Sequence, residues 1–157
     1  MRTIEVNKET SDQHRPILIR FIERYGDQHI TKKAIDWFKK TPFYQLHDEN
    51  GDFIHMIMDK NRIIGVLVIV NYGFNQAFIV VHPKTRQNGV AYQLVTQAQS
   101  QLNRFYVKVA NDNIPSLKLC FATGMQAFVL IKGPTGKPTL VLGSGHWSKE
   151  DWETNKK

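Results

Sequence analysis

Between Pro83 and Ala91 the chain gathers the ingredients of an anion site. Lys84 and Arg86 supply positive charge, and Gly89 stands where a helix would begin. The first N–H groups of a helix lack internal partners and together carry roughly half a positive charge. A phosphate suits such an end, and glycine lets its oxygens approach the backbone closely. The same residues also make an ordinary strand-to-helix turn, so local chemistry leaves both readings open.

A second reactive group follows in Asn111 to Met125, NDNIPSLKLCFATGM. Asn113 can cap a helix. Pro115 suits a first helical turn, and Gly124 the left-handed position that ends a helix. Cys120 is the one cysteine, which excludes an intramolecular disulfide. Its thiol can donate a proton or simply pack, since free cysteine is among the most buried residue types. His55, Asp59 and His82 are acid–base candidates by type. His82 also reads as a structural residue beside Pro83, and Asp59 as hairpin chemistry.

Other reaction classes find no footing. Gly136-Lys137 is followed by proline and lacks the upstream glycine of a nucleoside-triphosphate loop. No Gly-x-Ser-x-Gly elbow surrounds Ser144, and six scattered histidines with one cysteine give no zinc spacing.

These residues need elements to hold them. Ala77 to Val81 is an apolar, β-branched run that Pro83 must end, having no N–H for a ladder. After Gly89, the residues Ala91, Leu94, Val95, Ala98 and Leu102 form one stripe of an amphipathic helix. Upstream, the pattern predicts a strand over Thr3–Val6 and a helix capped by Ser11 or Asp12 with Pro16 in its first turns. Ile17, Leu18, Phe21, Ile22 and Tyr25 form its apolar face, with Gly26 at its end. Thr31 can cap a second helix holding Ala34, Ile35, Trp37 and Phe38, stopped by Thr41-Pro42. A turn-rich segment, 43–52, precedes a hairpin of Phe53–Asp59 with Ile63–Tyr72. After the long helix come a strand at Phe105–Ala110, a helix at Pro115–Thr123 and a closing hairpin of Ala127–Ile131 with Thr139–Leu142. Ser148 can cap a short helix in the tail, frayed at its end. The order is β, α, α, β, β, β, α, β, α, β, β. The crossover through the Gln-rich helix sets Ala77–Val81 and Phe105–Ala110 parallel or nearly so. The expected fold class is α+β (mixed α/β): one domain over residues 1–157, with 144–157 a C-terminal tail. Its sheet is mixed and mostly antiparallel, with helices on both faces.

Composition supports that size and class. A chain of 157 residues can bury a single good core, and 41% hydrophobic with 22% charged residues is globular usage. The longest apolar run, Ile63 to Val70, is too short to span a bilayer, so no membrane partner is expected. The first residues, MRTIEVNKETSDQHRP, lack the apolar core of a signal peptide, which makes the cytoplasm the expected compartment. A net charge of +7 suits any polyanion. The basic residues are scattered, however, and the longest helix carries Gln93, Gln97, Gln99 and Gln101 where a DNA reader would show Lys or Arg, so no nucleic acid is expected.

Taken together, the two reactive stretches resemble the GNAT superfamily of acyl-CoA-dependent N-acetyltransferases. The phosphate signature Arg/Gln-x-x-Gly-x-Gly/Ala stands here as Arg86-Gln87-Asn88-Gly89-Val90-Ala91, after Val81-His82-Pro83. The pattern Asn-x-x-small-x-x-Leu-Tyr-x-x-x-Gly-Phe stands as Asn113, Ser116, Leu119, Cys120, Gly124 and Met125. The resemblance is good over residues 53–142, matches the N-terminal helices in kind, and does not reach the tail. It implies acetyl-CoA as cosubstrate, with Ile79 and Val81 laying backbone groups along the pantetheine arm. Gln87, Asn88, Gly89, Val90, Ala91 and Tyr92 would hold the pyrophosphate through backbone N–H groups, Lys84 and Arg86 could add charge, and Asn113 would hydrogen-bond the arm. The implied acceptor is a small-molecule or protein amine; a homodimer is an assembly such a fold allows, and no metal is implied.

The catalytic half matches less well. An amine of pKa ~10.4 must lose a proton before it attacks a thioester. The departing thiolate is commonly reprotonated by a tyrosine in the family, where this chain has Cys120. A thiol of pKa ~8.5 can do that chemistry but is shorter by a ring. Lys108 stands where some members have glutamate, and the signature strand offers Gln76 instead of a carboxylate. The catalytic residues are therefore left unassigned, and water can serve as base where proximity dominates. Trp37, Phe38, Phe43, Tyr44, Tyr72 and His146-Trp147 either wall the acceptor site or pack as core and lid. Two functions follow from this reading: an N-acetyltransferase acting by direct attack, and a non-catalytic acyl-CoA-binding module of the same fold.

Overall fold

The computed structural model describes residues 1–6, 11–26, 32–42, 45–85, 89–133 and 136–157. Thr31, Phe43, Tyr44, Arg86, Gln87 and Asn88 lie outside the described residues. The elements run β1 (Arg2–Glu5), α1 (Ser11–Tyr25), α2 (Lys32–Lys40), β2 (Phe53–Asp59), β3 (Arg62–Val70), β4 (Gln76–Val81), α3 (Val90–Gln101), β5 (Arg104–Ala110), α4 (Ile114–Ala122), β6 (Gln126–Lys132), β7 (Pro138–Gly145) and α5 (Lys149–Asn155). The α+β class and the order of elements are those the sequence predicts.

The strands form two antiparallel sheets, β1-β2-β3-β4 and β5-β7-β6, in place of one continuous mixed sheet. No ladder joins β4 to β5. In the first sheet, β2 and β3 are buried on both faces, which explains their near-continuous apolar sequences. Ile54, Met56 and Met58 turn toward α1 and α2, whose Leu18, Phe21, Ile22 and Phe38 complete one core. Phe53, Ile57, Ile64, Leu67 and Ile69 turn the other way, toward Leu94, Val95 and Ala98 of α3 and Cys120 of α4. Burial of this kind is worth about 25 cal/mol per Å² of apolar surface, and both faces of the first sheet use it.

The second sheet shares that α3/α4 core through Phe105, Val109 and Leu142, and carries α5 on its other face. The tail helix is docked there. Trp152 is 2% exposed among Phe74, Tyr106 and Val141, and the Ser148 hydroxyl accepts from the Asp151 N–H at 3.0 Å, as the expected cap. The helix ends at Asn155, and the Lys156 N–H bonds the Trp152 carbonyl at 2.8 Å.

Local capping fixes α4. Asn113 Oδ1 accepts from the Ser116 N–H at its start. At its end Gly124, at φ +83°, lets the Met125 N–H reach the Cys120 carbonyl and the Gly124 N–H reach that of Phe121. That pair of bonds is a Schellman ending, and Met125 and Cys120 share the same core beneath it.

Candidate functional site

The unpaired facing edges of β4 and β5 frame the candidate site. In an antiparallel ladder alternate residues spend both backbone groups on the partner strand. The His82 N–H bonds the Ile64 carbonyl, so the even residues of β4 face β3. Ala77, Ile79 and Val81 therefore turn their N–H and C=O groups away from β3, toward β5. On β5 the Asn111 N–H bonds the Pro138 carbonyl, which sets the odd residues against β7 and turns the groups of Tyr106 and Lys108 toward β4. Two rows of backbone polar groups thus confront each other with no ladder between them.

The seam is pinned at one end and open at the other. Gly73, just before β4, lies against the Tyr106 backbone near the start of β5. Beyond it a cleft opens between Ala77–Ile79 and Val107–Ala110, so the two strands run side by side in one sense and splay. The cleft holds about 750 Å³ of empty space, solvent at its mouth included. Leu67, Ile79, Val95, Phe105 and Leu119 give it apolar walls, and Lys108, Asn113, Ser116 and Cys120 supply its polar groups. Its wall includes Phe78, which packs with the α1/α2 core, and Ile79, which packs with the α3/α4 core, so residues of both sheet faces line it.

The first turn of α3 stands beside the open end. Its first internal bond runs from the Gln93 N–H to the Gly89 carbonyl, which leaves the N–H groups of Val90, Ala91 and Tyr92 without helical acceptors. Gly89, at φ +74°, is the cap residue, and a side chain there would meet nothing within 4 Å. The close seating of this helix depends on Gly65, which pairs with Val81 across the ladder. A Cβ on Gly65 would come within 2.6 Å of Val90 Cγ1, and Val90 is fully buried there. Gln99 ties the far end down, donating to the Thr123 carbonyl at 2.8 Å and to Ser144 Oγ at 3.1 Å.

Each predicted site residue can now be placed. Ile79 lines the cleft, and Val81, on the same strand, turns its backbone toward the opening. Gly89, Val90, Ala91 and Tyr92 form the start of α3, and the Tyr92 ring is half exposed. Asn113 lines the cleft with Oδ1 accepting at its cap, which leaves its NH₂ group as the side chain's remaining donor. Arg86, Gln87 and Asn88 lie outside the described residues. Cys120 lines the cleft yet is 7% exposed, and burial pushes its thiol up to about 11.

The other acid–base candidates separate clearly. His82 Nδ1 accepts from the Lys84 N–H at 3.1 Å and its ring packs on Tyr25, a structural arrangement. Asp59 closes the β2–β3 hairpin opposite Arg62. His55 is buried, stacked on Phe53 at 3.9 Å, with neither ring nitrogen hydrogen-bonded. Burial alone holds it neutral, down to about 4. Lys108 lines the cleft, half-buried, with its ammonium 5.5 Å from the Trp152 ring centroid. Burial lowers its pKa, and the Lys33 charge lowers it further.

The aromatic segments mostly pack. Phe38 is 1% exposed in the core, Trp147 stacks on Phe128 at 4.7 Å, and Tyr72 lies under the Arg104 guanidinium at 4.0 Å. Sequence reasoning missed the role of Trp152; the signal was a tryptophan four residues beyond a good cap.

No curated protein matches this chain in sequence. Solved structures match it in fold. An acetyltransferase of the GNAT family from Streptococcus pneumoniae superposes with a TM-score of 0.61 at 16% identity, over 91% of this chain and 98% of that one. YncA from Salmonella typhimurium, solved with its cofactor acetyl-CoA, gives 0.61 at 12% identity over 92% of each chain. A variant of the spermidine N-acetyltransferase SpeG from Vibrio cholerae gives 0.64 at 13% identity, over 92% of this chain and 94% of that one. The sequence model of the acetyltransferase (GNAT) family matches residues 17–124, which contain β2 to α4 and every wall of the seam except Met125. With more than half of its length so matched, the chain belongs to the acetyltransferase (GNAT) family.

Proposed function

We propose that this protein transfers an acetyl group from acetyl-CoA to a primary amine by direct attack across the β4/β5 seam. The observation that carries this reading is the seam itself: two rows of inward-turned backbone groups that lead from an apolar cleft to the free N–H groups of α3. The backbone of Ile79 and Val81 would bond the amides of a pantetheine arm in the manner of a third strand. The N–H groups of Gly89 to Tyr92 would hold the pyrophosphate, and this reading extends to Arg86, Gln87 and Asn88 just before them. The Asn113 NH₂ group would donate to a carbonyl of the arm. Acetyl-CoA supplies the activated acetyl thioester when bound.

The chain's own groups also bound the proton traffic. Among the described residues lining the cleft there is no carboxylate, and its titratable side chains are Lys108 and Cys120. The thiol is protonated at neutral pH, so Cys120 is no base. Bulk water reaching the cleft mouth would take the proton from the amine and return one to the departing CoA thiolate, with proximity supplying the rate advantage.

A thermal shift with acetyl-CoA tests the binding half. At about 100 times Kd it should add roughly 2.7 kcal/mol of stability, and no shift would sink the proposal. Release of free thiol with a panel of primary amines tests the transfer half. Stabilisation without release from any amine would instead establish the non-catalytic binding module, a reading that the absent tyrosine at position 120 supports.

A further inference from the structure

We propose that the acceptor amine carries a carboxylate, and that Lys108, aided by Lys33 on α2, binds that anion where the seam opens toward α2 and α5. This rests on the acetyltransferase reading and names its substrate class.

The two faces of β5 assign the two ligands to opposite sides. Phe105, Val107 and Val109 turn toward the α3/α4 core, the side on which the α3 N-terminus stands. Tyr106 and Lys108 turn to the other side, where Tyr106 and Trp152 pack together and Lys108 lies over the Trp152 ring. A group bound by Lys108 is thus separated from the α3 N-terminus by the sheet and meets it only through the cleft. That is the position of the second substrate.

Charge then selects its chemistry. Lys108 is the one charged residue among the described residues of the cleft wall, and its ammonium lies at the Trp152 face of the strand. The described ion pairs are Lys39–Glu23, Arg104–Asp151, Lys137–Asp112 and Lys156–Glu153, and Lys108 is in none of them. Its charged neighbour is another cation, Lys33, and its aromatic neighbour gives only a weak cation–π contact at 5.5 Å. A half-buried ammonium facing a like charge is disfavoured, and an incoming anion relieves both costs. A polyamine meets the opposite field: its remote ammonium groups would approach two lysines with no carboxylate in the described wall. Likeness in fold to a spermidine acetyltransferase therefore does not extend to a polyamine acceptor here.

The test measures thiol release at saturating acetyl-CoA with matched amino acids and their carboxamides, compared at equal concentrations of neutral amine, and with spermidine as the opposite-charge control. The carboxylates should be preferred by about tenfold or more in kcat/KM. Lys108→Gln should bring that ratio to about one, and Lys108→Arg should keep most of it. If Lys108→Gln does not fold, Lys33→Gln on the exposed α2 surface should lower the ratio by about twofold to threefold. Equal rates for acid and amide, a preference for spermidine, or a ratio that survives Lys108→Gln would overturn the inference. Should no amine turn over, the transfer reading falls, and the anion site is judged by melting. A stabilisation by amino acids over carboxamides that Lys108→Gln removes supports it, and its absence overturns it.

Discussion

The backbone of Gly73 lies against the carbonyl of Tyr106, and this contact brings together two sheets that share no ladder. The approach requires both properties of glycine. Its φ of +88° is a left-handed conformation, and a Cβ would collide with the Tyr106 oxygen. The narrow end of the seam is therefore set by a residue with no side chain.

Gly73→Ala should force that end apart. Strain at the positive φ and the backbone collision together should cost about 2–4 kcal/mol. Denaturant unfolding reads the loss of stability, and an acetyl-CoA titration should show weaker binding because the strand spacing changes. A variant with wild-type stability would mean that the sheets are held by other contacts.

The second sheet carries its own lock. The buried Tyr106 hydroxyl donates to Asp151 at 2.7 Å and accepts from the Ser148 N–H at 2.9 Å, so one phenol holds both the cap and the first turn of α5. Arg104 holds the same carboxylate at 2.6 Å and keeps it below the usual range. Tyr106→Phe strips Ser148 of its acceptor but leaves Asp151 paired, so it should cost about 1–2 kcal/mol. Denaturant unfolding followed by circular dichroism should reach its midpoint at lower denaturant than in the parent. An unchanged profile would show that Trp152 alone docks the helix.

Much of this was legible in the sequence because it is local. Leu94, Val95, Ala98 and Leu102 lie on the predicted stripe and are all buried. Asn113 and Gly124 make the cap and the left-handed ending that their types demand. What escaped prediction depends on partners far along the chain. Gly73 meets Tyr106, Gly65 meets Val90, and Trp152 meets Tyr106 and Phe74. Periodicity says that a residue is buried; it does not say against what. The division into two sheets has the same origin, since nothing within β4 or β5 records that their facing edges stay unpaired.

Cys120 tests how far family resemblance carries chemistry. Its thiol lines the cleft but sits in the α4 core, protonated well above neutral pH. Read as a packing residue, it should tolerate Cys120→Ala with a stability loss of about 1 kcal/mol. Turnover, where an acceptor is found, should then change by no more than about twofold. A tenfold or larger loss in kcat that persists in Cys120→Ser would instead make it the acid for the leaving thiolate.

His55 makes the protein sensitive to acid. Its folded-state pKa of about 4 lies below the ordinary value of 6.5, so the unfolded chain binds the proton more readily. Its contribution to stability is therefore complete above about pH 6.5, falls as the pH drops toward 4, and changes no further below that. The loss across the window should be on the order of 3 kcal/mol. His55→Leu keeps a similar volume, removes two unpaired nitrogens from the core and abolishes the titration. Unfolding midpoints at pH 7, 5.5 and 4 should therefore diverge between parent and variant, with the variant increasingly the more stable as the pH falls. Other groups titrate alike in both proteins and cancel from the difference. Parallel midpoints across that range would show that the buried ring is not what acid attacks.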